Sequence, residues 1–145
     1  MNVTLSPARA DEFESLVLLR IEAMRESLER IGRFDPARAR ERFRAGFTPQ
    51  FTRHISLDEA RVGFVTVQPS VHGLSLDHLY LLPDSQRLGI GSRALAIVFG
   101  EADVQGLALR VGALRGSDSN RFYLRHGFVL VEEAEWDLYY LRSAR

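Results

Sequence analysis

Gly89-Ile90-Gly91-Ser92-Arg93-Ala94 lies between the apolar run Leu79-Tyr80-Leu81-Leu82 and a second apolar run at helical spacing. Glycines at such a junction let the backbone turn sharply and come close to a ligand. The free N–H groups opening the next helix, with its positive end, attract a phosphate. The spacing satisfies G-x-G-x-x-G/A, the dinucleotide-binding fingerprint. Its context does not. A dinucleotide fold carries the fingerprint in its first strand–helix unit, with an acid about 20 residues on for the ribose. Here the loop comes at residue 89, residues 83–88 separate it from the strand, and the next strand ends in Gly112-Ala113 with no acid. The physics of phosphate binding survives that failure, with Arg87 and Arg93 as charged partners for pyrophosphate oxygens. A plain surface turn is the bland alternative.

Periodicity places the loop in a larger pattern. Residues 3–5 read as a strand. Asp11, with Glu14 three residues on, has capping-box spacing. Phe13, Leu16, Val17, Arg20, Ile21, Met24 and Leu28 follow on one helical stripe that Gly32 ends. Asp35-Pro36 starts a second helix that stops at Gly46, with Phe43 as a core contact. The period then changes. Residues 54–57 and 61–68 are strands joined by a polar turn, and 69–73 a loop. Residues 74–82 form a strand buried on both faces, which Pro83 stops. A helix over 91–104, a strand over 107–111, a short helix from Asp118 or Ser119 to His126, and strands over 128–132 and 136–141 complete the order. This is α/β with mixed sheet direction, not a regular doubly wound fold.

Composition narrows the function classes. The chain has 145 residues, enough for one domain with a real core, and we expect a single domain over 1–145. Nineteen basic residues balance nineteen acidic ones, which argues against a general nucleic-acid partner. There is no cysteine, so disulfides, thiolate catalysis and zinc fingers are excluded. No apolar run approaches the roughly 20 residues of a membrane span, and no signal peptide is evident. A cytoplasmic location is the expectation. Every basic residue is arginine. Without lysine there is no Schiff base and no Walker-type loop.

Gln86-Arg87-Leu88-Gly89-Ile90-Gly91 resembles the Q/R-x-x-G-x-G/A loop of the GNAT superfamily of N-acetyltransferases, and residues 79–83 look like the strand that leads into it. Asn120-Arg121-Phe122-Tyr123-Leu124-Arg125-His126-Gly127-Phe128 is similar to the family's F-Y-x-x-x-G-F signature. The resemblance is clear from about Arg61 onward, and the first sixty residues fit in element order only. It implies one GNAT-like α/β fold: a mixed, mostly antiparallel sheet of six to seven strands, about four flanking helices, and splayed central strands. It also implies acetyl-CoA as co-substrate, no metal, and transfer of the acetyl group to a primary amine of a small molecule or peptide N-terminus.

Residue by residue, the resemblance assigns main-chain groups of Leu79, Tyr80 and Leu81 to the acetyl carbonyl and pantetheine arm. It assigns Gln86, Arg87, Leu88, Gly89, Ile90, Gly91 and Ser92 to the pyrophosphate. Tyr123 matches the general acid toward the departing thiolate; otherwise it is a core aromatic beside Phe122. Asp77 shares a strand face with Ser75 and Leu79. A carboxylate buried there suits a general base toward the amine, and binding a cationic substrate or capping a turn are its other roles. His78 faces the opposite way as a packed histidine, and His126 sits at a helix C-terminus. Many members carry Asn seven residues before the tyrosine. Here that position is Gly116, and Asn120 is the variant contact to the coenzyme arm, with Ser117 and Ser119 as alternatives.

Arg20, Glu22, Met24, Arg33, Phe34 and Trp136 are candidates for acceptor specificity by position only. The competing readings are a non-catalytic acyl-CoA-binding domain and a nucleotide-binding regulatory domain. Tyr123 weighs against the first, the missing ribose acid and missing lysine against the second. A homodimer through the terminal strands is compatible with the enzyme.

Overall fold

The computed structural model describes all of residues 1–145. The elements run β1 (Val3–Pro7), α1 (Phe13–Arg30), α2 (Pro36–Gly46), β2 (Thr52–Leu57), β3 (Ala60–Ser70), β4 (Gly73–Leu81), α3 (Ile90–Gln105), β5 (Leu109–Leu114), α4 (Ser119–Arg125), β6 (Val129–Glu133) and β7 (Asp137–Arg142). The seven strands form one mixed sheet in the order β1-β2-β3-β4-β5-β7-β6. The β4–β5 pair is parallel, while β1–β2, β2–β3, β5–β7 and β6–β7 are antiparallel. The expected α/β class, mixed sheet and four helices are all present.

Local chemistry accounts for most boundaries. The Asp35 side chain accepts from the Arg38 N–H at 3.1 Å, and Pro36 takes the first helical position of α2. Asp58 and Glu59 both have positive φ, the signature of a two-residue hairpin turn between β2 and β3. Two expectations need correction. Asp11 does not cap α1; a short 3-10 turn over Ala10–Glu12 precedes the helix, and the Glu12 carboxylate accepts from the Arg9 N–H. Residues 69–73 are mostly strand, because β3 runs on to Ser70 and β4 starts at Gly73.

The residues gather in two compact units, Met1–Thr66 with His78–Ala94 and Val67–Asp77 with Leu95–Arg145. In the first, Leu16, Val17, Phe43 and Phe64 form a buried core, with Phe13, Phe47 and Tyr80 packed against it. Beneath one end lies a buried charged group. The Glu12 carboxylate meets His54 Nε2 at 3.0 Å and accepts from Arg61 Nη1 at 2.6 Å. The His54 contact, the Arg9 N–H and Arg61 together hold the Glu12 carboxyl down from 4.5 to about 2. In the second unit Leu95, Val98, Leu109, Val111, Phe128 and Tyr140 are buried. Arg142, only 4% exposed, makes a two-pronged pair with Asp103 at 2.9 and 3.1 Å. With the Arg145 N–H, that pair pulls the Asp103 carboxyl from 3.8 to about 2.

At one place β3 has to come unusually close to β4. The β2–β3 register pairs Ile55 with Gly63 and Ser56 with Arg61, so Val62 is an extra, bulged residue. A Cβ on Gly63 would lie 2.2 Å from the Tyr80 carbonyl oxygen and 2.7 Å from Leu81 Cδ2. The Val62 carbonyl accepts from the Leu82 N–H at 2.8 Å. Only glycine permits that approach.

Two predictions follow from these contacts. Glu12 and Asp103 both titrate lower in the folded chain than when unfolded, so the unfolded chain binds more protons in the acid range and stability falls with pH there. Urea midpoints should therefore hold above about pH 5 and drop between about pH 4.5 and about pH 2. Glu12→Gln should lower the neutral midpoint and flatten the acid drop; an unchanged acid profile would count against the Glu12 network. Gly63→Ala should cost about 1–3 kcal/mol through overpacking. Gly100→Ala, inside α3 with nothing within 4 Å of the added Cβ, should instead stabilise by roughly 0.5–1 kcal/mol. Thermal melts of the two variants should move in opposite directions.

Candidate functional site

The glycine loop keeps the strand-to-helix context read from its sequence. β4 ends at Leu81, and a 3-10 turn over Pro83–Ser85 follows. The turn is closed by Ser85 N–H to the Leu82 carbonyl at 2.8 Å. Gln86 turns its side-chain amide back to donate to the Leu81 carbonyl at 2.9 Å, which ties the loop entrance to the end of the strand. Arg87 has φ 64° and Gly89 φ 85°. Left-handed residues three and one positions before Ile90 bend the chain sharply where α3 begins. The N–H of Arg93 donates back to the Gly89 carbonyl at 3.2 Å. Gln86, Arg87, Leu88 and Gly89 are exposed, Gly91 and Ser92 are half-buried, and Ile90 is fully buried as the anchor of the helix start. The glycine at 89 is demanded by its φ, since an added Cβ would meet only Met1 Cε at 4.0 Å.

Leu79, Tyr80 and Leu81, the end of β4, are half-buried, not sealed on both faces as expected for this strand. The parallel ladder with β5 joins Leu74, Ser75 and Leu76 to Leu109, Arg110 and Val111. β4 continues for five residues past Leu76.

Asp77 is exposed, which corrects the expectation of a buried carboxylate. It does share its face with Ser75, and its two oxygens accept from the Ser75 hydroxyl and the Gln68 amide. Tyr123 is 5% exposed, its ring packed edge-on against Phe122 and Phe128 and near Tyr140. Asn120 is held within the chain. Its amide donates to the Leu114 and Ser117 carbonyls at 2.9 and 3.0 Å, and its oxygen accepts from the Tyr140 hydroxyl at 2.7 Å. His126 contacts the Phe122 ring, and burial pushes its pKa down. No three His, Asp or Glu side chains converge as a metal site requires. No helix is long and apolar enough to cross a membrane.

On the other face of β4, His78 is the packed histidine expected from the sequence; what sequence reasoning missed is its meeting with Arg20 at Tyr80. His78 and Tyr80 point toward α1 and α2. The His78 ring packs 5.2 Å from Phe43 and 6.1 Å from Phe64, and its Nδ1 lies 3.4 Å from the Tyr80 hydroxyl. Arg20 reaches the same hydroxyl from α1 at 3.4 Å. A charged residue inside the apolar stripe of α1 was the available signal. The Glu12 group was missed as well, its only trace being the Arg9–Glu12 spacing.

Known structures share this architecture. A PaiA N-acetyltransferase from Thermoplasma acidophilum, solved with coenzyme A, is 16% identical, with 99% of each chain covered and a TM-score of 0.80. A GCN5-related N-acetyltransferase from Rhodopseudomonas palustris is 19% identical, covering 99% of this chain and 96% of that one, with a TM-score of 0.80. The N-acetylglutamate synthase of Neisseria gonorrhoeae, solved with coenzyme A and N-acetyl-glutamate, is 16% identical with a TM-score of 0.70. It covers 100% of this chain, which spans 36% of that longer protein. No curated protein matches in sequence. A family model described as an acetyltransferase (GNAT) domain matches residues 52–130, more than half of the chain and the whole span from β2 to the start of β6. On that match the chain belongs to the GNAT acetyltransferase family.

Proposed function

We propose that the protein, acting as one domain over residues 1–145, transfers the acetyl group of acetyl-CoA to an amine within a ternary complex. The observation that carries this reading is the loop from Gln86 to Ser92. It has a left-handed Arg87, a left-handed Gly89 and a helix start behind them, a backbone suited to a pyrophosphate. Coenzyme A in the Thermoplasma and Neisseria structures supports the same donor here.

In this reading Arg87 and the main chain of residues 87–92 hold the pyrophosphate, and the exposed Leu88 covers it. The pantetheine arm runs along Leu79, Tyr80 and Leu81, beyond the three-residue ladder with β5. A main-chain N–H from this stretch stabilises the oxyanion as the amine nitrogen attacks the thioester carbon. The C–N bond forms, the C–S bond breaks, and the thiolate takes the proton of the Tyr123 hydroxyl. The amine's proton goes to Asp77, directly or through a water. Its Gln68 and Ser75 donors hold the carboxylate in one orientation. Asn120 acts on the coenzyme arm indirectly, by fixing the start of α4. Most of the rate comes from holding amine and thioester together.

The first test is calorimetric titration with acetyl-CoA, with NAD as control. Micromolar binding of acetyl-CoA alone is expected. NAD binding without acetyl-CoA binding would remove the coenzyme assignment, and acetyl-CoA binding with no thiol release from any amine would favour a non-catalytic acyl-CoA sensor. With an acceptor found, Tyr123→Phe should lower kcat by about 100-fold while leaving the acetyl-CoA Kd unchanged. An unaltered kcat would return Tyr123 to the core.

A further inference from the structure

Arg20 differs from four other partly or fully buried arginines. Arg25, Arg40, Arg110 and Arg142 each pair with a carboxylate, from Glu22, Glu14, Glu132 and Asp103. Arg20 is half-buried, and its partners are all uncharged. Its Nε donates to the Tyr80 hydroxyl at 3.4 Å and its Nη1 to the Ala39 carbonyl at 3.2 Å. Its guanidinium carbon lies 5.9 Å from the Phe43 ring centroid and 5.7 Å from that of Tyr80. The helix, the strand and the two rings fix it in place. Two of its five N–H donors are used by those contacts, both at the long end of hydrogen-bond range. A guanidinium partly removed from water, oriented and without a counter-charge is a receptor for a carboxylate, which it can grip with two N–H groups at once.

Its position matters as much as its charge. Arg20 touches the side chain of Tyr80, and the main chain of that same residue belongs to the stretch assigned to the acetyl carbonyl. A carboxylate gripped by Arg20 would therefore lie on the Tyr80 side-chain face of that stretch. Beside it the half-buried His78 adds a second polar group to the same face.

We infer that Arg20 binds a carboxylate of the acceptor, so that the acceptor is an amino acid and not a polyamine. This inference rests on the acetyl-transfer reading and names its second substrate. With acetyl-CoA saturating, thiol release is measured for the common L-amino acids, for the α-carboxamide of each one that reacts, and for spermidine. At least one amino acid should react, with its amide at least tenfold poorer in kcat/KM, the loss lying in KM. Arg20→Gln should raise KM for the acid by about tenfold or more and abolish the preference over the amide. Arg20→Lys should restore part of it. The acetyl-CoA Kd of each variant reports whether it is folded.

Spermidine as the preferred acceptor, equal use of acid and amide, or a preference that survives Arg20→Gln would each overturn the inference while leaving acetyl transfer intact. Failure to bind acetyl-CoA would instead strike the underlying reading. If acetyl-CoA binds and no amine turns over, the amino acids and their amides are titrated into the CoA-loaded protein. Binding that needs both the carboxylate and Arg20 upholds the inference, and its absence overturns it. The acid–amide comparison in the unaltered protein decides the matter even if Arg20→Gln fails to fold.

Discussion

The end of β4 is held by its contact with β3 at Gly63. Backbone N–H and C=O groups need partners wherever water is kept out. At the end of β4 several are supplied from within the first unit. The Leu82 N–H goes to Val62, and the Leu81 carbonyl accepts from Gln86. The first depends on Gly63 lacking a side chain, because the Tyr80 carbonyl occupies the space a Cβ would need. The bulge lies at Val62, whose own carbonyl accepts from the Leu82 N–H. A tight strand edge, a bulge and a glycine together fix the height at which the following loop leaves the sheet.

The all-arginine composition also shapes the packing. A guanidinium can chelate a carboxylate and lie over an aromatic face at the same time, which an ammonium cannot. Arg142 grips Asp103 in two places and sits 3.9 Å from the Phe99 centroid. Arg40 pairs with Glu14 and covers Phe13, which Arg44 also covers at 4.6 Å. Arg110 pairs with Glu132 and stacks on Tyr139. Each pairing offsets desolvation of the charge with hydrogen bonds and ring contact together. Glu12 and Asp103 are the acidic counterparts, held ionised well into the acid range by their donors.

Local chemistry was legible in the sequence where it acts over a few residues. Asp35-Pro36, the Asp58-Glu59 turn and Gly32 mark boundaries the structure keeps, because caps and left-handed residues are short-range effects. The glycine loop was legible as a turn, but its meaning came from its place late in the chain and from the second block around Tyr123. What stayed hidden depends on distant partners. Asp11 had the better capping composition, yet Glu12 won the buried position because His54 and Arg61 arrive from β2 and β3. Asp77 had the right strand phase for a buried acid. Phase alone says nothing of how far the sheet is covered there, and the residue is exposed.

Arg20 shows the same limit from the other side. On the helical stripe it occupies a core position among Leu16, Val17 and Ile21, where a charge is costly unless something receives it. Its receivers are Ala39 on α2 and Tyr80 on β4, 19 and 60 residues away, and no helical periodicity can name them. Once the fold brings them together, the cost of the half-buried charge is only partly met, by a carbonyl, a hydroxyl and two rings. A charge placed in a core stripe and left without a counter-ion is a poor way to stabilise a helix. It is a good way to keep a binding group oriented, and that is the physical ground for reading Arg20 as part of the site and not of the core.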